Sequence, residues 1–301
     1  MTRFANVGGR MKIVLSNAVA DVEVSSAGRF GPDPQQVYRH WDEFSQWLQS
    51  AQLLPQEPLP TLDTVGPPSP EPPQIIALGV NSHIKLLQFG LGRPSGLGFI
   101  SKLRGALTGP GNPITRTSEK MYVETEVAVV IGRSTRNVTS EDALSHVAGF
   151  MIAQDLVDSN SYVRIESTVG KHPVVYFNPA KSLAGFVPTG PWLVTPDEVQ
   201  SIDDLRIRQW IDDRLVQDGR TTDYLHGVRE AVSELSQSIT LFPGDVLLMG
   251  SPGQVDTSPL EPLDAGAVVR GEVDGLGVQQ HLITSSDSAE TFAESSDVRL
   301  G

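Results

Sequence analysis

Glu124 and Glu126 stand two residues apart in an apolar stretch, Tyr122 to Ile131, that also contains Val123, Val127, Val129 and Val130. Side chains alternate faces along a strand, so both carboxylates point one way while Val123, Thr125 and Val127 point the other. Two like charges side by side cost free energy unless a cation, a proton or solvent compensates them. Asp155 follows the apolar run Phe150-Met151-Ile152-Ala153, 29 positions beyond Glu126 and across one short helix. A strand–helix–strand arrangement would bring its carboxylate to the same pole. Three oxygen ligands without His or Cys suit a hard cation such as Mg²⁺ or Mn²⁺. Read from spacing alone, a solvated strand face is the commoner explanation for such a pair in a chain with 36 acidic residues.

The elements that would position these groups are mostly strands. Gln74 to Gly79 is a short apolar run ending at glycine, and Leu205 to Trp210, Val246 to Met249 and Val268 to Val273 have strand composition. Thr139-Ser140-Glu141-Asp142 resembles a capping box opening a helix through Ala143, Leu144 and Val147. Asp218-Gly219 marks a turn, and Leu225 to Ser238 a helix. Upstream, residues 1–54 form a small module, with strands at Met11–Leu15 and Val22–Val24 and an amphipathic helix over Pro34–Leu48. Residues 55–73 are a proline-rich linker, because proline fixes φ and biases its predecessor to extended geometry. The main domain covers 74–283, and the acidic, serine-rich 284–301 is expected to be a disordered tail. The pattern predicts a β-rich α+β fold with peripheral helices.

Composition excludes several classes. The 301 residues contain no cysteine, which removes disulfides, thiolate nucleophiles and zinc–thiolate sites. A formal charge of −13 repels phosphate backbones, so no nucleic-acid partner is expected. No run approaches the about 18 apolar residues of a membrane span. Met1 to Ala5 shows no apolar signal core, so the expected location is cytoplasmic. There is no Gly-x-Ser-x-Gly elbow, and Gly90-Leu91-Gly92 lacks the third glycine of a dinucleotide loop.

Several segments taken in order resemble the fumarylacetoacetate hydrolase family. Glu124-Thr125-Glu126 through Gly132 is similar to its metal-binding strand, and Val147-Ala148-Gly149-Phe150 running to Asp155 to its third ligand. Lys181-Ser182 with Pro188–Trp192, Gln217–Asp223, Leu241–Val246 and Gly250-Ser251-Pro252-Gly253 follow in the family's order. Upstream, Gly79-Val80-Asn81, Lys102 and Gly109–Ile114 also fit. The resemblance implies a mixed β-sheet roll, a homodimer, and Mg²⁺, Mn²⁺ or Ca²⁺ held by Glu124, Glu126 and Asp155. It implies action on small anionic 2-oxo acids or 1,3-dicarbonyls. It also implies a positive charge from Lys181 for the enolate, and substrate contacts from Lys102, Gln217 and Ser251.

One motif departs from the family. Hydrolytic members carry His four residues and Glu seven residues after the asparagine that matches Asn81, a base dyad for the attacking water. Here those positions are Lys85 and Gln88, while His83 lies two residues early. Ala184 and Ser159 also replace the usual Asp and Arg. The expected activity is nominally C–C hydrolysis with His83 or Lys85 as base. The alternatives are an isomerase, decarboxylase or dehydratase that omits water attack, and a ligand-binding protein without catalysis.

Overall fold

The computed structural model describes residues 2–166, 174–255 and 259–285. Its core is a long antiparallel hairpin made by the strands Met121–Ile131 and Val147–Asp158. β-Branched and small apolar residues dominate both, and nearly every position is buried, as expected of strands covered on two faces. Val187–Val194 pairs with one side of this hairpin and Val246–Leu248 with the other. Ile75–Leu78 runs parallel to Val246–Leu248, and Phe99–Lys102 closes that edge. The sheet is therefore mixed.

A second sheet of five strands contains Arg214–Arg220, Arg206–Ile211, Val268–Val273, Gly277–Thr284 and the short Ile114–Thr115. It covers the odd-numbered face of Met121–Ile131 near Val123 and Thr125: Gln209 donates to the Val123 carbonyl and accepts from the Thr125 hydroxyl. Gly271 lies where a Cβ would come 2.2 Å from Gln154 and 2.6 Å from Thr125, so a glycine is required for the two sheets to approach this closely. The helix Val228–Ser238 buries Val228, Ala231, Val232 and Leu235 against Val127, Val129 and Ile131.

The N-terminal strands Arg3–Val7, Arg10–Val14 and Ala18–Asp21 extend the first sheet, because Phe4 pairs with Leu193. Their apolar face meets a cluster of Phe4, Phe30, Tyr38, Trp41, Phe44 and Trp47 with ring centroids 5.3–5.9 Å apart. Glu57–Pro58 and Val65–Gly66, within the proline-rich stretch, also pair with these strands.

Several local expectations are corrected. Val22–Ser25 is a helical turn rather than a strand, because the Asp21 carboxylate accepts from the Val24 amide and caps it. The single helix expected over Pro34–Leu48 is two, Pro34–Arg39 and Trp41–Leu48, broken at His40. Ala143–His146 forms only a 3₁₀ turn, and Val147 already opens the next strand. Asp218 and Gly219 lie inside Arg214–Arg220; the turn falls at Asp212, whose φ is +53°. The helix expected from Leu225 starts at Val228. Most of the acidic tail, residues 286–301, lies outside the described residues. Among the described residues, no helix is long and apolar enough to cross a membrane.

Candidate active site

The hairpin register brings the acids together. Glu124 pairs directly with Asp155, and Glu126 with Ala153, so the carboxylates come from facing positions of two central strands. Asp155 does not end its strand, which continues to Asp158. Among the described residues, Glu124, Glu126 and Asp155 are the one group of three or more His, Asp or Glu side chains offering ligand atoms within 4.8 Å of one another, and all three are buried. This all-oxygen donor set fits a hard divalent cation.

Three lysines compensate the three acids. Lys85 Nζ lies 2.6 Å from Glu124 Oε2, and Lys102 and Lys181 each lie 2.5 Å from one oxygen of Asp155. Burial alone would raise Asp155, but Lys102 and Lys181 outweigh it and hold the carboxyl well below the usual range. Burial, with Asp155 and Glu124 adding like charge, pushes Glu126 up to about 8. Burial pulls the Lys102 ammonium down, whereas Asp155 and Glu124 overcome burial at Lys181 and lift it above the ordinary lysine range.

Backbone and side-chain donors fix the remaining oxygens. The Gly250 amide donates to Glu126 Oε2 and the Ser251 hydroxyl to Glu124 Oε1, both at 2.7 Å. The Ser251 hydroxyl, expected to contact substrate, is thus committed to a carboxylate. Gly250 can turn its amide inward because it adopts φ +84°. Lys85 sits on the short helix His83–Phe89, capped by Ser82 at its start and by Gly90 in the left-handed region at its end. Asp223 holds that start by accepting from the Ser82 hydroxyl and the Ile84 amide. Asn81 ties it to the Met249 and His226 carbonyls.

The other expected site residues part company. His83 is exposed at the first position of its helix and is not among the groups gathered at the triad. Lys102 is enclosed, and its ammonium is shared among Asp155, the Leu156 carbonyl and the Phe186 carbonyl. Its side chain, expected to contact substrate, keeps no solvent exposure and holds an oxygen of Asp155. Gln217 lies on the opposite face of the hairpin, fully buried, accepting from the Thr125 amide and donating to the Thr125 carbonyl. Gln217→Leu is therefore expected to leave both backbone groups unpaired and lower stability by about 2–4 kcal/mol. Urea denaturation measures this loss, and a substrate KM within about twofold of wild type separates it from a binding role.

The fumarylacetoacetate hydrolase C-terminal family profile matches residues 74–284. This chain belongs to the fumarylacetoacetate hydrolase family. A mitochondrial oxaloacetate tautomerase of Xenopus laevis is 33% identical over 214 residues, covering 70% of this chain and 65% of that protein. The chain therefore spans just under two thirds of that relative's length. A 2,4-didehydro-3-deoxy-L-rhamnonate hydrolase of Sphingomonas is 29% identical over 216 residues, 70% of this chain and 73% of that protein. Among solved structures, a Mycobacterium smegmatis protein carrying the name HpcE superposes with a TM-score of 0.83 at 34% identity, covering 94% of this chain and 99% of the other. A maleylpyruvate hydrolase from Sphingobium, solved with manganese and pyruvate, shares the fold with a TM-score of 0.71 at 24% identity, covering 94% of this chain and 99% of that one.

Proposed function

We propose that this chain moves a proton at the carbon beside the ketone of a small 2-oxo acid, interconverting keto and enol forms. The observation that carries this reading is Lys85, 2.6 Å from Glu124 at the triad, while His83 is turned to solvent. The tautomerase relative supports it. Glu124, Glu126 and Asp155 would hold a divalent cation, which when bound supplies a Lewis acid for the ketone and carboxylate oxygens of a 2-oxo acid. The manganese in the maleylpyruvate hydrolase structure is in keeping with such a site.

The chain's own residues supply the rest. Three ammoniums offset three carboxylates, so any added dication leaves the site positive and attractive to an anion. Lys181, slightly open to solvent, faces the carboxylate or developing enolate oxygen. In the enol-to-keto direction, Lys85 Nζ delivers a proton to C3, the enol O–H proton leaves to solvent, and solvent returns a proton to the Lys85 amine. The reverse path removes the C3 proton. Serial assays separate this from hydrolysis, the second reading, which the rhamnonate hydrolase relative favours. With Mg²⁺ and an acylpyruvate, faster loss of enol absorbance without release of pyruvate is expected. Stoichiometric pyruvate plus free acid would replace this reading by hydrolysis.

Metal binding should depend on pH with a definite sign. Glu126 must lose its proton to ligate, and its pKa is pushed up to about 8. Apparent Mg²⁺ affinity is therefore expected to rise about tenfold per pH unit from 6 toward 8 and flatten above, with close to one proton released. Calorimetry in buffers of different ionisation enthalpy reads that proton. Without the cation the sign reverses for stability: between 4.5 and about 8 the folded state binds more protons than the unfolded one, so stability declines as pH rises.

A further inference from the structure

The charged centre is open on the side of Lys85 and Lys181, whose side chains keep 11% and 16% of their surface exposed, whereas Lys102 keeps none. Three of the elements that bring charges to this centre also bring an aromatic ring close by in sequence. Tyr122 precedes Glu124 by two residues and shares its strand face. Phe89 follows Lys85 by four residues, on the same side of the His83–Phe89 helix. Phe177 precedes Lys181 by four, and its carbonyl accepts from the Lys181 amide, so these two also stack along one helical face. Tyr162 packs edge to face on Phe177 with centroids 5.3 Å apart.

Phe89 and Phe177 remain 49% and 45% exposed, so each presents ring surface that a ligand reaching outward from the charges can cover. The Tyr162 phenol is raised by burial first, and it also feels Lys181, Asp155, Glu124 and Tyr122, which places it within electrostatic reach of the triad. A short dicarboxylate, bound through its 2-oxo acid end at the charges, would leave this collar unfilled.

We infer that Phe89, Tyr122, Tyr162 and Phe177 form a subsite for the arm of the substrate beyond C3, and that this arm is planar and apolar, aryl or conjugated. Offset and edge-to-face packing against flat rings suits such an arm better than a second carboxylate, which would lose hydration there without gaining a cation. The inference rests on the reading that the charged centre takes a 2-oxo acid.

Phenylpyruvate and oxaloacetate, assayed as enol-to-keto conversion by the Mg²⁺-loaded full chain, test it. The expected kcat/KM ratio favours phenylpyruvate by about tenfold or more, and Phe177→Ala and Phe89→Ala each lower that ratio about five- to tenfold. Thermal melts check folding, and Phe177→Leu, which keeps bulk without the ring, should give an intermediate ratio. A ratio at or below one in the wild type, or a ratio that the variants leave unchanged, overturns the subsite. Should neither acid be converted, the proton-transfer reading falls. The dissociation constants of the same two acids, measured by calorimetry on wild type and variants, then decide the subsite on the same ratios.

Discussion

Asp155→Asn is expected to abolish divalent-metal binding and lower turnover by at least about a thousandfold, while also destabilising the fold. Asp155 is the third acid of the triad and the shared partner of two lysines, one of them without solvent exposure. Asparagine keeps the shape but removes the charge, taking from Lys102 and Lys181 the carboxylate to which both are hydrogen-bonded. Breaking a buried pair in this way costs about 3–5 kcal/mol. Lys102 already has its ammonium pulled down by burial, so in the variant it sheds its proton more readily still. The stability deficit of Asp155→Asn should therefore shrink as pH rises, measurable as converging urea midpoints for variant and wild type. A variant that still shows the wild-type Mg²⁺-dependent melting shift would remove Asp155 from the ligand set.

Lys85→Met separates two roles that most substitutions confound. Removing the ammonium beside Glu124 frees that carboxylate, so Mg²⁺ should bind several-fold more tightly than to wild type. The proposed proton carrier is lost at the same time, and kcat should fall by about 10²–10⁴. Tighter metal with slower turnover is not the behaviour of a misfolded protein. The paired replacement Lys85→His with Gln88→Glu restores the spacing found in hydrolytic family members. It should let the protein release pyruvate from an acylpyruvate, which under the proposed function the wild type only tautomerises. Unchanged kcat in Lys85→Met would assign the proton transfer to another group.

The readable and unreadable parts of the site differ for physical reasons. The Glu124/Glu126 pair is visible because strand periodicity puts i and i+2 on one face regardless of neighbours, and the long apolar run around them leaves little doubt about the strand. Asp155 is visible as a candidate, but its place opposite Glu124 depends on hairpin register, which pairing with two further strands decides. Gln217 misleads for the converse reason. Its polar side chain is spent on the Thr125 backbone once two sheets stack, and nothing local encodes which face of a strand meets a second sheet.

Lys85 illustrates a signal present but masked. Ser82 and Gly90 bracket a helix in the ordinary way, yet the seven-residue length and the preceding Gly79–Asn81 loop make the segment look irregular. His83 therefore competes for the same role until the helix turns it outward. The N-terminal Arg3–Val7 strand is hidden for another reason: five residues including Arg3 and Asn6 carry little apolar pattern, and their pairing with Val187–Val194 supplies the order. By contrast, the β-rich class follows from apolar runs too short for helices and separated by glycine and proline, and it agrees with the architecture found.

Anomalous diffraction from crystals equilibrated with Mn²⁺ at pH 8 addresses the central claim without relying on any assay. A single strong peak bonded by carboxylate oxygens of Glu124, Glu126 and Asp155, with Lys85 drawn away from Glu124, is the predicted result. Saturating Mn²⁺ with no peak at these carboxylates, and with Lys85, Lys102 and Lys181 still bridging them, would contradict it.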